Sequence, residues 1–289
     1  MKRRPWNHHP RIVAARSRSR AADVAVRVIE GYRLHQTSRN AAVISHYGFI
    51  SVFPLFLVFT TVLGFILQDH PGYQDDIVDS ALAQLPIIGD TIATSPDELS
   101  GSVAVLVGGL LIALWSGMKA FISVQNALDD VHEIPIDDRS TFVATRLRAL
   151  VAIGVVGAAL VASTFLTAVG GKSDYATIGN TLLVLGAAIV NAAVLAAIFR
   201  SLCSTPSAWR DVAPGAVVAG IVFALLQLLG TTIVARAIAG ASRVYGSFAA
   251  VIALLAWLGL HATAGLLGAE LNRALLATRR PPDPAQATA

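Results

Sequence analysis

Six apolar runs, at residues 41–67, 102–123, 149–169, 178–199, 212–235 and 246–271, are separated by polar connectors along the 289-residue chain. Each holds at most two ionisable side chains. A helix rises about 1.5 Å per residue, so about 20 apolar residues cross a hydrocarbon core of about 30 Å. Lipid offers no partner to free peptide groups, which leaves helices or a closed barrel. Barrel strands would alternate apolar and polar residues, and these runs do not. The pattern therefore predicts an all-α, polytopic membrane protein, a six-helix bundle occupying residues 21–276.

The polar stretches carry their own periodicities. Residues 1–20 read as a disordered basic arm and residues 277–289 as a disordered tail. Between the arm and the first run, Val24, Val28, Ile29 and Tyr32 recur near helical spacing with Arg27 and Arg33 on other faces, as in a helix lying on a membrane surface. In the connector 68–101, Ile77, Val78, Ala81, Leu82 and Leu85 share a period that Pro86 and Gly89 end. This predicts a short amphipathic helix, either a lid or a plain cover.

Charge then orients the bundle. Ten Lys/Arg stand in residues 1–40, whereas the connector 68–101 holds seven acids and no Lys or Arg. Basic residues in short flanks stay cytoplasmic, so both termini are expected inside, with 19 of the 22 Lys/Arg on that side. Only Lys172, Arg236 and Arg243 fall outside. Charged residues make up 14% of the chain, against about 25% in soluble domains, and the bundle leaves no room for a separate soluble catalytic domain. The basic arm lacks the interleaved aromatics that stack nucleic-acid bases, so anionic headgroups are its expected partner and nucleic acid is not. The single cysteine, Cys203, cannot form an internal disulfide and reads as a packing or surface thiol.

Polar groups inside spans cost about 2.5–3.5 kcal/mol at the membrane centre and need a reason. His46 enters the inner third of span one. Lys119 falls near the cytoplasmic end of span two, with Trp115 and Asn126 on roughly the same face, and span six delivers Glu270 and Asn272 to that level. These six are the candidate substrate-contacting residues of a polar cavity open to the cytoplasm; Asn191, Gln227 and His261 form a second set near the midplane. The structural alternatives are snorkelling for Lys119 and Glu270 and plain interhelical hydrogen bonding for the others. Pro54, midway along span one, predicts a kink. The acids Asp129, Asp130, Glu133, Asp137 and Asp138 lack the spacing and glycine of a calcium loop and read as a solvated, ion-paired helix extension. No metal site, cofactor site or catalytic constellation is expected. Small residues (Gly109 and Ala113, Gly154 and Ala158, Ala216 and Gly220, Gly265 and Ala269) predict close helix approach.

Three motifs add a resemblance. Ser45-His46-Tyr47 through Ser51-Val52-Phe53-Pro54, then Ala113-Leu114-Trp115-Ser116 with Asn126-Ala127-Leu128, and Tyr245-Gly246-Ser247-Phe248 leading to Leu267-Gly268-Ala269-Glu270-Leu271-Asn272 resemble the YihY/BrkB inner-membrane family over roughly residues 20–276, most of all its YhjD-like branch. His46 and Gly259-Leu260-His261 depart from the family pattern. The resemblance implies six spans, both termini inside, and residence in a bacterial inner (plasma) membrane. The family once carried a ribonuclease label, for which these residues supply no metal cluster or acid–base pair. It also points to movement of lipids or other envelope precursors. The expectation is a transporter or flippase for an anionic envelope lipid, not an enzyme. A non-transporting scaffold that partners envelope-biogenesis proteins is the alternative, and a membrane-embedded hydrolase comes last.

Overall fold

The computed structural model describes residues 10–66, 103–170, 176–205, 207–245 and 248–279. Eight α-helices are described there: α1 (Pro10–Arg18), α2 (Arg20–Leu34), α3 (Thr37–Ile66), α4 (Val103–Val131), α5 (Phe142–Gly170), α6 (Ala176–Leu202), α7 (Trp209–Tyr245) and α8 (Phe248–Arg279). A single 3-10 turn, Ile136–Asp138, follows α4, and no strand occurs among the described residues. Among the described residues, five segments are long and apolar enough to cross a membrane: Val107–Val131, Phe142–Ala159, Leu185–Leu202, Trp209–Gly230 and Val251–Arg279. The first apolar run lies in α3, a 30-residue helix. Helix α3 packs on α4 and α8, α7 on α6 and α8, and α5 on α6 and α4.

Several helices outlast the apolar runs that predicted them. Span two was expected to end at Ser123, yet α4 continues to Val131; span three was expected from Ala149, yet α5 begins at Phe142. Hydropathy reports the oily part of a helix, whereas backbone hydrogen bonding continues until a residue stops it. For α4 the stop is Glu133, which takes a left-handed conformation (φ 54) where glycine is usual. The Ile134 N–H then donates to the Asp129 carbonyl, and the Glu133 N–H to Asp130. The helix extension expected of the acidic connector thus reaches only Val131, where Asp130 pairs with Arg139; Asp129 is buried rather than solvated, Glu133 lies in the turn that ends the helix, and Asp137 and Asp138 lie in the 3-10 turn. A second difference lies in the amino-terminal arm, where Pro10–Arg18 is helical within the stretch expected to be disordered. Arg16 ties the arm to α2 through Asp23 (2.8 Å) and Glu30 (3.3 Å), contacts between side chains that composition alone cannot pair. The expected amphipathic helix near residues 77–85 lies outside the described residues.

The main apolar cluster sits where α4, α5, α6, α7 and α8 converge, around Leu128, Ala152, Leu195, Phe199, Leu202, Ala216 and Ala269. Small residues set two of its crossings. A β-carbon on Gly215 would overlap the Gly268 carbonyl and the Asn272 amide, and one on Gly220 would strike Ala192. Both are close approaches of the kind that replace the missing hydrophobic drive in lipid. Gly154 meets nothing within 4 Å, so the small-residue pair expected to pack in span three makes no such crossing at its glycine.

Candidate functional site

The α2–α3 corner supplies a residue that hydropathy reading missed. His35 caps the end of α2, Gln36 reverses the chain in a left-handed conformation (φ 50), and Thr37 opens α3. That turn buries His35, whose side chain is 5% exposed, against Glu270 of α8, 2% exposed. The His35 Nδ1–H donates to Glu270 Oε1 at 2.7 Å, and Thr37 Oγ1 donates to the same oxygen at 3.4 Å. Gly31 lies flush on the Glu270 carboxylate, where any β-carbon would overlap it. On the other edge of the imidazole, Nε2 lies 3.5 Å from Glu133 Oε1. That separation is too long for a hydrogen bond, and Nε2 is buried without one. Arg273, one turn beyond Glu270, closes the ring by binding Glu133 at 2.6 Å.

Charges in this ring set its protonation. Burial pulls the His35 pKa down, but the hydrogen bond and charge of Glu270, with Glu133 beyond, raise it above the ordinary 6.5 against the opposing charge of Arg273. Burial pushes Glu133 up, and Arg273 with His35 brings it below the usual range. Next to the ring, Asp130 accepts from Asn40 (3.2 Å) and Arg139 (2.8 Å). A cavity of about 380 Å³ opens here, lined by Leu34, His35, Gln36, Arg39, Asp130, Glu133, Ile134 and Arg139.

Asn272 does a different job from the one its type suggested. Pro214 stands inside α7, past the first turn, where it removes a backbone donor. Asn272, 2% exposed, accepts from the Gly215 N–H at 2.6 Å and donates to the Val212 carbonyl at 2.9 Å. It splints α7 on both sides of the proline. Asp129, 1% exposed, similarly accepts from the Ser204 N–H (2.8 Å) and Oγ (2.7 Å), pinning the α6–α7 turn to α4.

The expected juxtaposition of His46, Lys119 and Glu270 does not form. Glu270 meets residues 35 and 37; His46 lies nine residues further along α3, about 14 Å by the helical rise. It is exposed, with its ring edge-on to Tyr47 at 5.5 Å. Lys119 precedes Asp130 by eleven residues, about 16 Å along α4. The depth count failed because it ended the helices with their apolar runs. Lys119 is half-buried with its ammonium 5.9 Å from the Trp115 ring centroid; Trp115 is 57% exposed and Asn126 is exposed as well. Gln125, next in the chain, is the buried one, and its Oε1 has no hydrogen-bond partner. In the midplane set, Asn191 Nδ2 donates to Gln227 Oε1 at 3.2 Å across α6 and α7. His261 stands apart from that pair, between Phe223 (4.8 Å) and Trp257 (4.7 Å), with Nδ1 3.0 Å from the Trp257 carbonyl oxygen. Helix α3 is continuous through Pro54, whose side chain lies outside the described residues. Among the described residues no three His, Cys, Asp or Glu side chains group as metal ligands.

Long apolar helices bound by buried polar clasps define a polytopic helical membrane protein. Residues 28–289 match the family described as virulence factor BrkB, and the chain belongs to this BrkB/YihY family. Two relatives are similar to it. The ribonuclease-like protein YfkH of Bacillus subtilis (strain 168) is 26% identical over 269 residues, covering 87% of this chain and 94% of YfkH. Inner membrane protein YhjD of Escherichia coli (strain K12) is 26% identical over 156 residues, covering 52% of this chain and 46% of YhjD. No solved structure matches the chain.

Proposed function

We propose that this protein is a transporter or flippase for an anionic lipid or lipid precursor of the bacterial envelope, and not an enzyme. In this reading six spans cross the inner (plasma) membrane, both termini lie in the cytoplasm, and the basic rim gathers anionic headgroups. The observation that carries the proposal is the placement of Lys119 and Gln227. These polar side chains lie outside the packed core, Lys119 half-buried and Gln227 exposed, within the apolar runs of α4 and α7. Polar groups at such depth are costly unless they meet water or a polar ligand. A headgroup moving along the bundle while its acyl chains stay in lipid would meet them, with the Lys119 ammonium pairing its phosphate.

The test is transbilayer movement of a fluorescent phosphatidylglycerol in vesicles reconstituted with the purified protein. Movement faster than in protein-free vesicles, and slowed by Lys119→Ala, is the expected result. Rates equal to those of protein-free vesicles overturn the proposal.

A scaffold reading has its own support. Glu270 and Asn272, expected in a cavity, are each 2% exposed and committed to holding helices together. YfkH carries ribonuclease-like in its name, but Asp129, Asp130 and Glu133 of this chain are held by Ser204, Arg139 and Arg273 respectively. That leaves a hydrolase the least favoured of the three.

A further inference from the structure

The geometry points to a proton-binding latch: His35, when protonated, clamps the surface helix α2 to the bundle through Glu270 and Glu133, and loss of that proton releases the clamp. The ring comprises Glu270, His35, Glu133 and Arg273, drawn from α8, the α2–α3 corner, the turn after α4, and α8 again. With both imidazole nitrogens protonated, each N–H faces a carboxylate. With Nε2 deprotonated, its lone pair would face Glu133 Oε1 at 3.5 Å, in a place where Nε2 is buried and has no other partner. Attraction then turns to repulsion at one edge of the ring. The titratable and charged groups around the site are Glu270 and Arg273 of α8, Arg39 of α3, and Glu133, Asp130 and Arg139 from α4 and its following turn.

Two features look built for this pairing rather than for packing alone. Gln36 and Glu133 both adopt left-handed backbones (φ 50 and 54) without being glycine, a conformation that L side chains disfavour. One aims His35 into the bundle; the other places the Glu133 carboxylate beside it. Meanwhile Gly31 leaves room for the Glu270 carboxylate, which a β-carbon at that position would overlap.

The sign follows from the linkage. His35 is raised above 6.5 when clamped, so the clamp is fully made below that value. It is lost as pH rises through the higher, clamped pKa. The protein would thus hold α2 down at acidic to neutral pH and free it at alkaline pH. Neither step depends on lipid transport.

The experiment places spin labels at Ile29→Cys on α2 and Leu228→Cys on α7, both exposed, in a Cys203→Ser background of the full chain in lipid nanodiscs. Distance distributions are read from about pH 6 to about pH 9, the range in which a histidine with a raised pKa titrates. A single narrow distribution at low pH, gaining a second population with a midpoint above 6.5, is expected. His35→Gln should make the distribution independent of pH, and Gly31→Ala should show the second population even at low pH. Glu133→Gln, on a half-exposed side chain, keeps the histidine and should move the midpoint to lower pH, which serves if His35→Gln fails to fold. An unchanged wild-type distribution overturns the latch. So does a pH response that persists in His35→Gln, or a midpoint that Glu133→Gln leaves in place. A failed lipid-movement assay would leave all of these readings intact.

Discussion

Where α2 meets α8, α7 meets α8 and α4 meets the α6–α7 turn, buried polar side chains hydrogen-bond between elements; partway along the spans, polar side chains are more accessible and have fewer partners. Glu270, Asn272 and Asp129 illustrate the first region, Lys119 and Gln227 the second. The same residue types therefore mean different things by position. In the first region a polar group joins two elements and is expensive to remove, because its buried partner stays behind. In the second it joins little, and its removal should cost little stability while touching whatever passes the bundle.

The largest expected effect belongs to a glycine inside the first region. Gly215→Val would drive its β-carbon into the Gly268 carbonyl and the Asn272 amide that splints Pro214, so backbone must move. Little folded protein should survive detergent extraction, as size-exclusion profiles would show. A normal profile would mean the α7–α8 crossing is looser than its geometry. Next comes Glu270→Ala, which leaves His35 buried beside no carboxylate on its Nδ1 side. Breaking one side of a buried charged pair costs about 3–5 kcal/mol, read as a drop in Tm. Because the clamp needs protonated His35, the wild-type Tm should itself fall as pH rises above 6.5, and the Tm of Glu270→Ala should vary less over the same range.

Which parts of this were legible in the sequence depends on the same contrast. The apolar runs identified the helices because lipid imposes a length and a composition on each. A helix before the first span was legible from Val24, Val28 and Ile29, and α2 covers them. His35 was not legible: it stands in a polar connector, and only the left-handed turn at Gln36 carries it into α8. The available signal was a histidine followed by Gln and Thr just before an apolar run, with an unexplained glutamate at the end of another. Nothing in single-sequence spacing pairs positions 35 and 270. Depth matching failed for Lys119 and His46 because helices extend past their oily segments, and periodicity alone does not say where a helix stops.

A smaller effect is expected from the hydrogen bond between Asn191 and Gln227. Its residues are accessible, and interhelical bonds of this kind average about 0.6 kcal/mol in membrane helices. In a double-mutant cycle, the loss in the double variant Asn191→Ala with Gln227→Ala should fall short of the sum of the two single losses by about 0.6 kcal/mol. A coupling several times greater would place this pair with the buried clasps and erase the distinction between the two regions.

Lys119→Ala should be the gentlest of all to the fold and the most informative about function. The ammonium gains about 0.5–1 kcal/mol from a ring face at an exposed site, and at 5.9 Å from the Trp115 centroid it is at the outer limit of that contact. Alanine also removes a charge that lipid disfavours, so the two changes oppose each other and Tm should barely move. Lipid movement is another matter. A charged hydrogen bond to a phosphate is worth about 1.5–3 kcal/mol, and each 1.4 kcal/mol is a factor of ten. If that contact forms as a headgroup crosses the highest barrier, its loss should slow movement by about ten- to a hundredfold, with Lys119→Arg restoring most of the rate. Unchanged movement at unchanged Tm would strip Lys119 of a substrate role. The exposed polar face would then be a surface for other proteins, and the scaffold reading would account for the chain better than transport.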